Sequence, residues 1–291
     1  MGADVMQLIF SGLAVGGIYA LIAVGFVTIY NVNGMINFAQ GEFVMVGGMV
    51  AASMVSGGSP LWVAALTGIA MSAIIGAIIH RVILYPARFS TEVVLIIITI
   101  GVSTTLRGIA LLIWGSTPKT LPPILEGKPV AVLNAVIPRQ DFFIVGIAMI
   151  LMIVLFIFFN KTMLGSALRA SMMNREVSRL MGISPKLMGM LSFILGALLA
   201  GVVGVIVTPI SLATYNMGLM IGLKGFVAAV IGGLVSVPGA VIGGVLLGVF
   251  ESLGAGLISS GYKDATAFII LLIVLVIRPQ GLLGSRSGKR V

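Results

Sequence analysis

Met6-Gln-Leu-Ile-Phe-Ser-Gly-Leu-Ala-Val-Gly-Gly-Ile-Tyr-Ala-Leu-Ile-Ala-Val-Gly-Phe-Val-Thr-Ile-Tyr30 carries no charge, and Asn31-Val-Asn-Gly-Met-Ile-Asn-Phe-Ala-Gln-Gly-Glu42 follows it directly. A helix needs about 20 mostly apolar residues to cross a bilayer, and the first stretch supplies them. The second is a polar break, after which a further apolar run covers Phe43 to Ser56. Asn and Gly in such a break leave backbone amides and carbonyls bare. At membrane depth these survive only inside protein or along a wet cavity. The stretch therefore predicts a polytopic helical membrane protein with broken or re-entrant segments.

Outward from there the pattern repeats. Apolar runs cover Leu61–Leu84, Val93–Trp114 with Arg107 inside it, Phe142–Phe159, Met188–Val207 (stopping at Thr208-Pro209) and Ala265–Ile277. Residues 225–250 are uncharged but broken at Pro238. Together these runs imply about eight or nine crossings in one all-α transmembrane domain over residues 1–291. Composition agrees: 59% of the 291 residues are hydrophobic and 9% are charged, against about 25% charged in soluble domains. Such a chain needs lipid around it. Its 39 glycines suit helices that approach closely without a hydrophobic force to drive them together. Ala229-Val-Ile-Gly-Gly233 recurs as Ala240-Val-Ile-Gly-Gly244, and Gly239/Gly243 and Gly244/Gly248 have the small-xxx-small spacing of close crossings. Gly232, Gly233 and Gly239 also suit a broken helix that lines a path.

Charge sets the expected topology. The net charge of +9 lies mainly in short segments between apolar runs, which argues against a nucleic-acid surface. Segment 160–187 carries Lys161, Arg169, Arg175, Arg179 and Lys186 against Glu176 alone. The positive-inside rule assigns it to the cytoplasm, and the tail with Arg286, Lys289 and Arg290 joins it there. Loop 115–141 is proline-rich and nearly balanced in charge. The start has Asp4 and no Lys or Arg before Arg81, unlike the positive n-region of a signal peptide. This places the N-terminus weakly outside. His80 and Arg81 close an apolar run and are expected at the headgroup level.

Several chemistries are excluded. The absence of cysteine rules out disulfides and thiolate sites, and one histidine makes no His-based metal site. There is no G-x-x-x-x-G-K-[ST] phosphate loop, so any ATP is bound elsewhere. No catalytic residues and no metal ligands are assigned.

Two further features invite function. In Ala167-Leu-Arg-Ala-Ser-Met-Met-Asn-Arg-Glu-Val-Ser-Arg-Leu-Met-Gly-Ile-Ser-Pro185, the residues Met173, Val177, Leu180 and Met181 form an apolar stripe at helical spacing. Gly182 ends that helix and Pro185 prevents its continuation. Such a helix lies on the membrane, packs on its own protein or docks in a partner's groove. The second feature is the set of ionisable groups inside apolar sequence, Glu42, Arg107 and Glu251. These pair with one another, sit at an interface, or act on a solute or proton. The break nominates Asn33, Asn37, Gln40 and Glu42 for the zwitterion of an amino acid.

Gly17-Ile-Tyr-Ala-Leu-Ile-Ala-Val-Gly25 followed by Ile36-Asn-Phe-Ala-Gln-Gly-Glu42 resembles the opening of the permease subunits of bacterial branched-chain amino-acid ABC transporters. Further blocks agree in order. They are Arg169-Ala170 with Leu180-Met-Gly-Ile183, Gly222-Leu-Lys-Gly-Phe-Val-Ala-Ala-Val-Ile-Gly-Gly-Leu-Val-Ser-Val-Pro-Gly239, Tyr262-Lys-Asp264 and Arg278-Pro-Gln-Gly-Leu-Leu283. The resemblance implies a permease of the inner membrane that works with a second homologous permease, two cytoplasmic ATPases using ATP and Mg, and an extracytoplasmic solute-binding protein. It implies that Arg169, Ala170, Glu176, Leu180, Met181, Gly182 and Ile183 belong to a coupling loop that docks into the ATPases. Two positions depart from the family pattern. Gln40 stands where members often carry His, and Asn174 where many carry an acid. Urea and short-chain amide permeases are similar alternatives. An ion-coupled secondary transporter using Glu42 and Glu251, or a passive solute channel, is a reading from another class.

Overall fold

A computed structural model describes residues 2–125, 127–132, 135–257 and 259–284; the basic tail residues Arg286, Lys289 and Arg290 lie outside the described residues. The helices are α1 (Gly2–Asn33), α2 (Gln40–Ser56), α3 (Leu61–Ile78), α4 (Glu92–Trp114), α5 (Arg139–Lys161), α6 (Met163–Met173), α7 (Arg175–Leu180), α8 (Pro185–Ser211), α9 (Met217–Gly232), α10 (Val237–Leu257) and α11 (Lys263–Ile277). A π-helical turn, Ile79–Leu84, continues α3. The polar loop carries a short hairpin, β1 (Val130–Val132) and β2 (Ala135–Ile137), paired antiparallel with Val130 opposite Ile137. Among the described residues, seven helices are long and apolar enough to cross a membrane. The second limb of the Asn/Gly break becomes the shorter α2, and the Gly-rich region becomes the short α9 followed by the full-length α10.

The chain packs as two compact units, the first formed by Met1–Val27, Ile124–Met149 and Lys224–Val291, the second by Thr28–Pro123 and Ile150–Leu223. In the first unit α1 lies against α10 through glycine. A Cβ on Gly12 would stand 2.7 Å from Val249 Cα, and one on Gly16 2.8 Å from Val245 Cα. Gly244 and Gly248 answer from the other side, against Ala20 and Gly16. The small-xxx-small spacing read in α10 thus meets a matching Gly12-xxx-Gly16-xxx-Ala20 stripe in α1. Without side chains between them the backbones gain dispersion contacts that lipid cannot offer.

In the second unit α2 is the central helix, buried from Gln40 to Met49. It packs against α3 and α8 by the same device. Gly47 meets Gly201 and Gly68, and a Cβ on Gly76 would stand 2.6 Å from Ala197 Cβ. Ser72 Oγ donates to Phe43 O at 2.9 Å and to Gly68 O at 3.1 Å, so this buried hydroxyl is satisfied. Helix α8 does not stop at Thr208-Pro209 but carries Pro209 inside and ends at Ser211. So close to the helix end a proline forfeits only one backbone bond, and the preceding turn holds. Leu212 closes the helix at φ 62°, its N–H bonded to Thr208 O. His80 is buried, its ring 5.3 Å from that of Phe193, while Arg81 beside it is exposed.

Candidate translocation and coupling sites

The polar break between α1 and α2 is stitched to two helices of its unit. Asn33 Nδ2 donates to Ser192 Oγ at 2.8 Å, and Gln40 Nε2 donates to Gly196 O at 2.9 Å. Ser192 and Gly196 lie on one face of α8. On the other side stands α4. Phe38 N–H donates to Thr99 Oγ1 at 3.2 Å, Ser103 Oγ donates to Glu42 Oε1 at 2.8 Å, and Arg107 Nε lies 3.3 Å from the same oxygen. Thr99, Ser103 and Arg107 recur every four residues, so they form one polar stripe on an otherwise apolar helix. Only Arg107 was singled out from sequence; the four-residue spacing to Thr99 and Ser103 was the available signal.

Asn37, Gln40 and Glu42 are no more than 1% exposed. Asn37 Oδ1 accepts from Ala39 N at 3.1 Å. Yet Asn37 Nδ2, Gln40 Oε1 and Glu42 Oε2 are buried without a hydrogen-bond partner. Three orphaned polar atoms within six residues are unusual, since buried polar groups normally find partners. They can offer one donor and two acceptors, one of the acceptors on a carboxyl group, to a polar solute or to water. The small cavity at Asn33, Met35, His80 and Tyr85 measures about 30 Å³, room for a water but not for an amino acid.

Gly232, Gly233 and Gly239 lie in the first unit, at the turn from α9 to α10. Gly233 has φ +106°, which ends α9, and Gly232 packs directly on the Gly239 backbone. Leu282 N–H and Leu283 N–H donate to Ile231 O and Gly232 O at 2.8 and 3.0 Å, so this turn also receives the segment after α11. The same unit holds an ion network. Glu251 is fully buried, and its Oε1 accepts from Lys224 Nζ at 2.7 Å and Tyr19 OH at 3.2 Å, with Lys263 Nζ at 3.5 Å. Lys224 also pairs with Asp264 Oδ1 at 2.6 Å. Two cations offset two carboxylates across α9, α10 and α11, so Glu251 is paired within its unit. Lys224 was not singled out from sequence because it sits just before the uncharged stretch.

The segment after α5 is two helices rather than one. Asn174 takes an extended conformation between α6 and α7, and its Oδ1 accepts from Glu176 N and Val177 N at 3.0 Å each. An Asn that can bond its own downstream amides competes with helix continuation, which divides the stripe expected over Met173–Met181. At the far end Gly182 has φ +81°. Its N–H donates to Arg179 O, and Ile183 N–H donates to Ser178 O. This is a Schellman close, as the glycine implied. Ser184 Oγ then caps α8, whose first residue is Pro185. Arg169 Nη1 reaches back to Asn160 Oδ1 at 2.8 Å, and Ala170 O accepts the Asn174 N–H. Glu176 is exposed. Met173, Leu180 and Met181 are 88%, 87% and 78% exposed, and Val177 is 53% exposed. Among the described residues no group of three His, Cys, Asp or Glu side chains could hold a metal ion.

Apolar spans, a buried polar break among them and a helix pair with a bare apolar face define a polytopic membrane permease. The chain belongs to the family described as the branched-chain amino acid transport system permease component, whose model matches residues 8–277. It is 35% identical to the high-affinity branched-chain amino acid transport system permease protein LivH of Salmonella typhimurium, over 98% of this chain and 97% of that one. It is 35% identical to the corresponding permease protein BraD of Pseudomonas aeruginosa, over 98% of each. A probable branched-chain amino acid transport permease protein LivH of Methanocaldococcus jannaschii is 30% identical over 91% of this chain and 88% of the other. The chain is a transport subunit of a membrane.

Proposed function

We propose that this permease carries branched-chain amino acids across the bacterial inner membrane, driven by ATP hydrolysed in two separate cytoplasmic ATPase subunits. A second homologous permease completes the path, and an extracytoplasmic binding protein delivers the solute. The chain itself holds no cofactor; ATP and Mg belong to the ATPases. Residues 1–291 act as one permease domain with the C-terminus in the cytoplasm. The observation that carries the coupling reading is the bare stripe on α6 and α7. Met173, Val177, Leu180 and Met181 are exposed on capped helices that separate two spanning helices. A methionine- and leucine-rich helical face suits the groove of a partner. Arg169, Ala170, Glu176, Gly182 and Ile183 frame it. The substrate reading is supported by the relatives' names and by the orphaned amide and carboxyl atoms of Asn37, Gln40 and Glu42, with Asn33 beside them. Gly232, Gly233 and Gly239 contribute a backbone turn to the path within their own unit. ATP and receptor shift the states of the pair by binding one more tightly than the other.

Uptake of labelled leucine in the native host and in a strain deleted for this gene tests the reading. Loss of an ATP-dependent flux that valine competes is the expected result. A loss confined to urea or acetamide keeps the mechanism and changes the substrate. A flux that survives ATP depletion overturns the ATP-driven reading. In the complemented strain, Asn37→Leu with Gln40→Leu weakens leucine transport; unchanged affinity and rate remove the break from the path.

A further inference from the structure

The cytoplasm-facing end of the second unit gathers cations that neither the break nor the α6–α7 stripe uses. Arg81 leaves the π turn after α3, Arg88 follows it, and Lys186 opens α8. Tyr85 joins them: the Arg88 guanidinium lies 4.1 Å from its ring centroid and Lys186 Nζ 4.9 Å. Among the described residues no carboxylate lies within ion-pair distance of Arg81, Arg88 or Lys186. Two of these cations share the Tyr85 ring and Arg81 lines a cleft with Lys186, a gathering that costs Coulomb energy unless an anion joins them. Between the π turn and α8 lies a cleft of about 150 Å³, lined by His80, Arg81, Ser184, Lys186, Leu187 and Met190. Its surroundings are apolar and bare. Ile74, Ile78 and Val82 are exposed at four-residue spacing on the same helical run, and Leu187 is exposed on α8. A cationic mouth at the end of an apolar strip, at the level where spanning helices leave the membrane, has the shape of a lipid: headgroup phosphate above, acyl chain alongside.

We propose that this cleft binds the phosphate of an anionic phospholipid of the cytoplasmic leaflet, with Arg81 and Lys186 as its direct ligands. Tyr85, itself stacked by Arg88, forms the wall against which Lys186 rests. The leaflet rests on the positive-inside assignment of segment 160–187; the binding itself does not, because it is measured in micelles.

The test uses the purified full-length chain, delipidated in detergent and titrated with phosphatidylglycerol or phosphatidylcholine under native mass spectrometry. Two double variants remove the same charge from the same end. Arg81→Gln with Lys186→Gln empties the cleft mouth, and Lys161→Gln with Arg179→Gln leaves it intact. Each basic residue near a lipid surface contributes about a fivefold factor, so the first pair weakens phosphatidylglycerol binding about 25-fold. The second pair changes it less than the first, and phosphatidylcholine binds weakly to all three proteins. Equal losses in the two pairs overturn the site, because they mean diffuse attraction to charge. No loss in either overturns it as well. Displacement of phosphatidylglycerol by inorganic phosphate alone overturns the lipid as the occupant. Unchanged thermal unfolding of both variants separates a lost ligand from a lost fold.

Discussion

The α1–α2 break and the α6–α7 stripe invert the usual order in opposite ways. The break buries amide and carboxyl groups at the level of apolar helices, three of whose atoms have no partner. The stripe leaves methionine and leucine bare outside the spanning helices. Each departs from what its surroundings favour, and each does so on well-formed backbone. The break is stitched to α4 and α8, and the stripe sits on helices closed by Thr162, Asn174 and Gly182. Misplaced polarity on an ordered scaffold marks where another molecule completes the contact. Under the proposed function that molecule is a small polar solute at the break and a protein surface at the stripe.

The comparison is sharpest at Gly182, where Gly182→Leu should abolish uptake while the protein still inserts in the membrane. Nothing lies within 4 Å of a Cβ built there, so the chain's own packing tolerates the side chain. Only the left-handed backbone, strained by about 1–2 kcal/mol, and, under the proposed coupling, the docking partner resist it. Normal uptake in that variant, at normal membrane abundance, removes the stripe from coupling. The next effect belongs to the break. Arg107→Leu leaves Glu42 buried beside Ser103 without its cation and should cost about 3 kcal/mol, read as a lower thermal midpoint of the purified chain. Adding Glu42→Gln should recover much of that loss; a double variant as unstable as the single one means the pair is not the cause. The smallest effect is at Asn174. Asn174→Ala should loosen α7 by about 1 kcal/mol, seen as about fivefold faster amide exchange at Glu176 and Val177, whereas Asn174→Asp should retain the cap. If Asp restores exchange protection but not uptake, Asn174 touches the partner as well as capping the helix.

Much of this was legible because lipid enforces it. Each long apolar run became a helix near its expected ends, since a backbone in hydrocarbon must satisfy its own hydrogen bonds. Gly182 and Pro185 punctuated the chain as their backbone preferences dictate. Asn174 was harder. Periodicity sees only side-chain polarity, and the helix there was broken by a side chain bonding its own backbone, a local competition that an apolar stripe does not report. Pro209 misled in the opposite sense, because a proline in a last turn costs too little to stop the helix before it.

Sequence alone determined the solvent, the helices and the places where polarity is wrong for its surroundings, because these follow from local composition and period. Only the tertiary structure decided the partners. It paired Glu42 with Ser103 and Arg107, and Glu251 with Tyr19, Lys224 and Lys263. It laid the glycines of α1 on those of α10, and it gathered Arg81 and Lys186 around one cleft with Tyr85 against Lys186. Such pairings join residues far apart in the chain. They are set by which helix faces meet, and that depends on packing all the helices of a unit at once rather than on any one stretch.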